Sequence, residues 1–178
     1  MQDLIRDILN GNQDGFRMIV QRFSNDLLRI AYHFVHDWDE AQDLTQTTWI
    51  RCYQNLRRYD VHRPFRPWLY RIHLNVCKAA AARKQKHRSR EIRLSESGLD
   101  VSAEISVDDT TLILQQIERL SMRQKAAFIL VEIEGMDSRE AAYVMGCAES
   151  TLRVHLARAK QNLREKLMKL GIGYGSIY

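Results

Sequence analysis

The sequence predicts an all-α fold: two small helical domains joined by an acidic, flexible linker. Three observations carry that prediction. Apolar residues recur every three or four positions through most of the chain, the spacing of one helix face. Strand signals are almost absent, with few alternating runs, no hairpin turn pairs and only two prolines, Pro64 and Pro67. Between about Ser89 and Asp109 the periodicity fades and acids collect, with Glu96, Asp100, Glu104, Asp108 and Asp109 among Ser and Gly. About twenty residues without structure are unusual inside a compact domain, so this stretch reads as a linker. The expected organisation is residues 1–88, a linker at 89–109, a second domain at 110–170 and a tail at 171–178. A chain of 178 residues with 45% hydrophobic content can bury one medium core or two small ones.

The elements follow in order. Asp3 to Leu9 forms a short helix that stops at Asn10, Gly11 and Asn12. Gln13 to Val35 is a long helix whose Phe16, Ile19, Val20, Phe23, Leu27, Ile30, Ala31 and Phe34 make a core stripe. A third helix starts at Asp37 or Asp39 and runs to Arg57, with Ala41, Leu44, Thr48, Trp49, Cys52, Tyr53 and Leu56 facing inward. Its acidic start suits the positive end of the helix dipole. Tyr59 to Arg66 breaks the pattern. A fourth helix starts at Pro67, a favourable first position, and carries Trp68, Leu69, Ile72, Val76 and Ala79 into a cationic run of Arg83, Lys84, Lys86, His87, Arg88 and Arg90. After the linker come Thr110 to Leu120 and Met122 to Glu134, the latter closed by Gly135.

The last part of the chain holds the most informative pattern. Ser138 to Met145 reads as a short helix, Gly146 as a turn residue at φ > 0, and Ser150 to Lys169 as a longer basic helix. Leu152, Leu156, Ala159, Leu163 and Leu167 recur at helical spacing, which sets Arg153, His155, Arg158, Lys160, Arg164 and Lys166 on the wet side. This is a helix-turn-helix with a basic face. A helix fits the major groove of duplex DNA and Arg makes bidentate contacts there, so the arrangement suits sequence-reading DNA binding. A helical hairpin with a solvated charged face is the competing interpretation.

Composition excludes several classes. A net charge of +5 favours a polyanionic partner. No apolar run is long enough to span a bilayer, and acids in Met1 to Asp7 argue against a secretion signal, so the protein is expected in the cytoplasm. Cys52, Cys77 and Cys147 are widely spaced, with no Cys-x-x-Cys pair and no His at ligand spacing, and read as reduced core residues. No metal site and no cofactor are expected. The acids and histidines form no spaced catalytic set, and no glycine loop cradles phosphate, so no enzyme is expected either.

Three segments then carry a resemblance: DEAQDLTQTTWIRCYQNLRRYD from Asp39, RPFRPWLYRIHLNVCK from Arg63, and the stretch from Leu120 to Leu167. In their order and spacing they resemble the extracytoplasmic-function sigma factors, the minimal specificity subunits of bacterial RNA polymerase. The resemblance spans about Asn10 to Leu167. It implies sigma region 2 before the linker, sigma region 4 after it, and a protein that directs promoter-specific transcription initiation. The implied partners are RNA polymerase core, through the largest-subunit clamp and the beta flap, promoter DNA, and an anti-sigma factor. A stand-alone helix-turn-helix regulator is the alternative, but it leaves the Asp39 to Lys78 segments unexplained.

The resemblance also implies residue roles. Asp39, Glu40, Asp43, Leu44 and Gln46 fall in the segment that docks on the polymerase clamp, an acidic helix facing a basic surface. Tyr59, His62, Arg63 and Phe65 lie in the loop that captures an unstacked minus-ten base, and Arg71, Asn75, Lys78, Arg83 and Lys84 follow the strand along the fourth helix. Trp68 belongs to the same motif but reads as core by its spacing to Ile72. Thr151, Arg153, Val154, His155, Ala157 and Arg158 take the minus-thirty-five positions, with Arg153 and Arg158 as the principal contacts. The chain departs from the family pattern at Gln42, Thr47, Ala79, Ala148 and His155. Thr47, standing where relatives carry an acid, motivates the hypothesis that Thr47 or Thr48 is phosphorylated to restore charge. Ala148 removes the usual Ser or Thr cap of the recognition helix, leaving its N–H groups to Ser150, Thr151 or a DNA phosphate.

Overall fold

The structure, a computed structural model, describes residues 1–94 and 109–170. Among them there is no strand. The chain divides into two compact units, one built mainly on residues 1–84 and the other mainly on residues 109–142 and 147–170.

The first unit holds four helices: α1 (Gln2–Leu9), α2 (Gln13–Val35), α3 (Trp38–Asn55) and α4 (Phe65–Leu94). Short polar residues set the starts. Asn12 accepts from the Asp14 N–H at 3.1 Å to begin α2, and Asp37 accepts from the Glu40 N–H at 2.9 Å to begin α3. At the corner between them His36 closes α2 in the left-handed region at φ 52°. Helix α3 ends in a 3-10 turn, Leu56–Arg58, where the sequence reading continued it as helix to Arg57.

Of the stripe expected on α2, Ile19, Phe23, Leu27, Ile30, Ala31 and Phe34 are buried, while Phe16 and Val20 are half-buried. On α3, Ala41, Leu44, Thr48, Trp49, Cys52 and Leu56 are buried as expected. Tyr53 departs from the expectation at 57% exposed, lying edge-on to Phe16 with ring centroids 5.2 Å apart.

Helix α4 differs twice from the sequence reading. It begins at Phe65, so Pro67 is the third helical residue rather than the first. That costs nothing, because none of the first four N–H groups has an intrahelical partner. Its buried stripe is also rotated: Phe65, Leu69, Tyr70, His73, Leu74, Val76, Cys77 and Ala80 are buried, while Trp68 and Ile72 are half-buried and Ala79 is exposed. The inward turn of two polar rings explains the rotation. The Tyr70 hydroxyl donates to Asp26 Oδ2 at 3.0 Å, and His73 Nδ1 lies 2.8 Å from Thr48 Oγ1. Satisfied in this way, both rings can enter the core.

The second unit holds α5 (Asp109–Glu118), α6 (Met122–Phe128), α7 (Ser138–Met145) and α8 (Glu149–Lys169). A reciprocal capping box of Ser121 and Gln124 starts α6, and Asn162 Nδ2 donates to the same Gln124 oxygen at 3.3 Å, tying α8 to it. The helix predicted through Glu134 becomes a π turn at Ile129–Ile133. Its closing bonds are accordingly wider, from the Glu134 N–H to Ile129 O and from the Met136 N–H to Leu130 O, with Gly135 at φ 64° as the stop. Ile117, Leu120, Phe128, Ala159 and Leu163 form a buried cluster, flanked by Ile113, Ile133 and Leu156.

The domain boundary expected at residue 88 falls inside α4, which continues to Leu94. The rest of the expected linker, 95–108, and the tail 171–178 lie outside the described residues.

Candidate polymerase and nucleic-acid interfaces

Helix α3 carries the candidate docking face. Asp39, Asp43 and Gln46 are exposed on it. Leu44 is not: it is 5% exposed and packs in the core, so it supports the face from behind rather than presenting it. Glu40 is half-buried and its Oε2 pairs with Lys84 Nζ at 3.3 Å, while the same ammonium donates to Val35 O at 3.2 Å. Two residues assigned to separate surfaces thus hold each other. Ile50 and Tyr53 continue the row of Asp43 and Gln46 along one helix face and are exposed, although the apolar spacing placed Tyr53 inward.

Thr48 is 0% exposed and its hydroxyl donates to Leu44 O at 2.8 Å. It is therefore inaccessible to a kinase, which removes it from the phosphorylation hypothesis; Thr47 is half-buried.

The loop after the 3-10 turn is anchored at both ends by aromatic rings. Tyr59 and Phe65 are buried, with ring centroids 5.5 Å apart and edge to face, and Trp68 packs against both at 4.8 and 5.5 Å. Burial pushes the Tyr59 phenol above its ordinary pKa, and its hydroxyl donates to the Arg63 carbonyl. Neither Tyr59 nor Phe65 lies open on the loop, and Phe65 is the first helical residue rather than a loop residue. Between these anchors Asp60 makes a tight turn, accepting from the His62 N–H at 3.0 Å and pairing with Arg63 Nε at 3.3 Å. His62 and Arg63 are exposed.

Along α4, Arg71, Asn75 and Arg83 are exposed and Lys78 is half-buried. Arg51, Asn55 and Arg58, from α3 and its terminal turn, come to the same face as Trp68, Arg71, Ile72 and Asn75. The sequence reading missed these three. Their spacing at 51, 55 and 58 marks one helix face beside the apolar stripe of α3. The face combines guanidinium groups, side-chain amides and an indole, the means to hold phosphates and stack a base.

The helix-turn-helix follows the predicted lines. Asp137 caps α7 by accepting from the Glu140 N–H at 2.8 Å, and Gly146 turns the chain at φ 67°. Ala148 is the N-cap of α8 and makes no side-chain bond. On α8, Arg153, Val154, Ala157 and Arg158 are exposed, and Thr151 and His155 half-buried. Arg153 is held to Glu149 Oε1 at 2.5 Å. Burial, and then the charges of Arg123 and Arg158, push the His155 imidazole below its ordinary pKa. Lys160, assigned to the wet side, is half-buried and pairs with Glu132 at 2.9 Å.

Burial pushes the Cys52 and Cys77 thiols up to about 12, so both stay protonated at neutral pH. No group of His, Cys, Asp and Glu among the described residues has the geometry to hold a metal ion. No described helix is long and apolar enough to cross a membrane.

With that geometry in hand, comparison with known proteins places the chain. The Sigma-70 region 2 family matches residues 19–87, and the Sigma-70, region 4 family matches residues 110–163. The ECF RNA polymerase sigma factor SigW of Bacillus subtilis (strain 168) is 24% identical, the match covering 93% of this chain and 96% of that one. Two solved structures share the fold: CnrH in complex with the cytosolic domain of CnrY, with a TM-score of 0.73, 24% identity and coverage of 94% and 97%, and the sigma factor RpoE of Bartonella quintana in complex with the anti-sigma factor NepR, with a TM-score of 0.65, 24% identity and coverage of 86% and 96%. The chain belongs to the extracytoplasmic-function group of the sigma-70 family. Proteins of this family are transcription initiation factors and not enzymes, and they bind RNA polymerase core and promoter DNA.

Proposed function

We propose that this protein, acting in the cytoplasm, docks on polymerase core through α3, opens the minus-ten element with α4 and its preceding loop, and reads the minus-thirty-five element with α8. The observation that supports it best is the segregation of charge in the first unit: exposed Asp39 and Asp43 on one helix face, exposed Arg51, Arg58 and Arg71 on another. An acidic face suits a protein partner with a basic surface, whereas a cationic face with an aromatic ring suits a single strand. The docking face comprises Asp39, Asp43 and Gln46 and extends over Ile50 and Tyr53. Leu44 positions it.

In the minus-ten reader, His62 and Arg63 are the loop groups that meet the strand, with Tyr59 and Phe65 as the rigid base beneath them. Arg71, Asn75, Lys78 and Arg83 follow the strand along α4, joined by Arg51, Asn55 and Arg58. Lys84 is released to the strand only if Glu40 gives it up. On α8, Arg153 and Arg158 are the principal contacts to the minus-thirty-five duplex; Val154, His155 and Ala157 shape the surface between them. The uncapped first turn of α8 at Ala148, with Thr151 close by, offers its N–H groups to a phosphate. Tethering the two readers to one polymerase converts two weak contacts into one selective one. The domain limits proposed for this division of work are 1–94 and 109–170.

An anti-sigma factor controls the protein; the Bartonella quintana neighbour is a sigma factor in complex with an anti-sigma factor. Permanganate reactivity of promoter thymines tests the reading. Reactivity around the minus-ten element should appear only with core and this protein together, and Arg71→Ala should reduce it. Opening that proceeds equally with core alone would overturn the proposal.

A further inference from the structure

The side of α8 farthest from the core is not its most charged one. Leu152, Ala159 and Leu163 are buried, so the opposite side of the helix is the stripe Ser150, Val154, Ala157 and Gln161, and all four of these are exposed. Arg153 and Arg158 stand to either side of that stripe, and Arg153 is held by Glu149 at 2.5 Å. The largest apolar member of the stripe is Val154, which is 47% exposed. Among the described residues, the other large apolar side chains left this open in the second unit are Met168, in the last turn of α8, and Leu170, its C-cap. A single exposed valine is ordinary on a protein surface. Its place at the centre of the stripe opposite the core, between two arginines, is what gives it a role.

The valine side chain neither donates nor accepts a hydrogen bond. Pressed against the major-groove edge of adenine, guanine or cytosine, its isopropyl group would cover donors and acceptors and give them no partner, which is unfavourable. Thymine alone offers an apolar group in that groove, its C5 methyl. Ala157, one turn on, adds a second small apolar surface at the same place. The flanking guanidinium groups and the N–H groups of the uncapped first turn are suited to the phosphates of the groove walls, which would bring the stripe to the base edges. We propose that Val154, with Ala157 beside it, reads a thymine methyl group in the minus-thirty-five element and so selects a T·A pair at that position. This deepens the minus-thirty-five reading of α8 and rests on it.

The test uses holoenzyme, core polymerase with the full-length protein, and promoter duplexes recovered by run-off transcription. In these, deoxyuridine replaces each thymidine of the minus-thirty-five element in turn, on either strand. The exchange removes the C5 methyl and leaves base pairing intact. Wild type should lose about fourfold in affinity at one thymine or at two adjacent ones, the effect of one buried methyl group. Val154→Ser, with an unchanged thermal midpoint, should bind the thymine and uracil duplexes equally. Full affinity of wild type for every uracil duplex would overturn this inference and leave the minus-thirty-five reading standing. The same holds for a loss that persists undiminished in Val154→Ser, and for an element with no thymine on either strand. A wild-type holoenzyme indifferent to replacement of the whole element would overturn the minus-thirty-five reading and this inference with it.

Discussion

Acidification from pH 7 to pH 4 should destabilise the first unit by about 3 kcal/mol through one side chain, His73. The imidazole is fully buried, and burial pushes its pKa from 6.5 down to about 4. Its neighbours are Thr48 Oγ1 at 2.8 Å, Cys77 Sγ at 3.6 Å and the Leu27 backbone, whose hydrogen bond partly offsets the effect of burial, and none of them carries charge. The folded state therefore binds fewer protons than the unfolded chain wherever the pH lies between those two values. Stability is complete above pH 6.5 and is lost progressively as the pH falls towards 4. The gap from 6.5 to about 4, at about 1.36 kcal/mol per pKa unit, gives the magnitude. All three tryptophans, Trp38, Trp49 and Trp68, lie in this unit, so their fluorescence in a denaturant titration reports its unfolding. Other groups titrate in the same range, and the readout is the difference between wild type and His73→Gln at each pH. Wild type should lose stability faster than the variant between pH 6.5 and 4. Parallel curves would refute the argument that a neutral buried imidazole is required.

Three further outcomes are expected. Arg158→Ala should weaken binding to the minus-thirty-five duplex by about 1 to 3 kcal/mol if it reaches a base, measured by duplex titration at physiological salt; unchanged affinity would remove it from the contact set. Ala148→Ser should raise the stability of the second unit by about 1 kcal/mol in thermal unfolding, because the present N-cap makes no side-chain bond; no gain would mean that the first turn of α8 is already satisfied. Thr48→Glu should prevent the first unit from folding, since it buries a charge where exposure is 0%, whereas Thr47→Glu should fold and bind core at least as well as wild type. A folded Thr48→Glu protein with the wild-type midpoint would contradict the burial argument.

How much of this was legible in the sequence depended on which force set each feature. The bounds of α2 and α7 and the turn at Gly146 could be read because local chemistry decides them: Asn12 and Asp137 as caps, glycine at positive φ. The face of α4 could not. Tyr70 and His73 count as polar in a pattern, and only tertiary partners, Asp26 and Thr48, allow them inward. The π turn at Ile129–Ile133 leaves no mark in an apolar run, since one extra residue per turn changes the backbone and not the composition. Among the site residues, the exposed Arg153 and Arg158 followed from helical spacing alone. Tyr59 and Phe65 belong to the base-capturing loop by family resemblance alone; three-dimensional packing shows them holding each other and Trp68.

The measurement that bears most directly on the central claim is run-off transcription by core RNA polymerase, with and without this protein, on a pool of fragments from the source genome at physiological salt. Discrete start sites that appear only with the protein are the expected result, and aligning them would give both promoter elements at once. A folded protein that binds DNA but yields no core-dependent start sites would contradict the assignment.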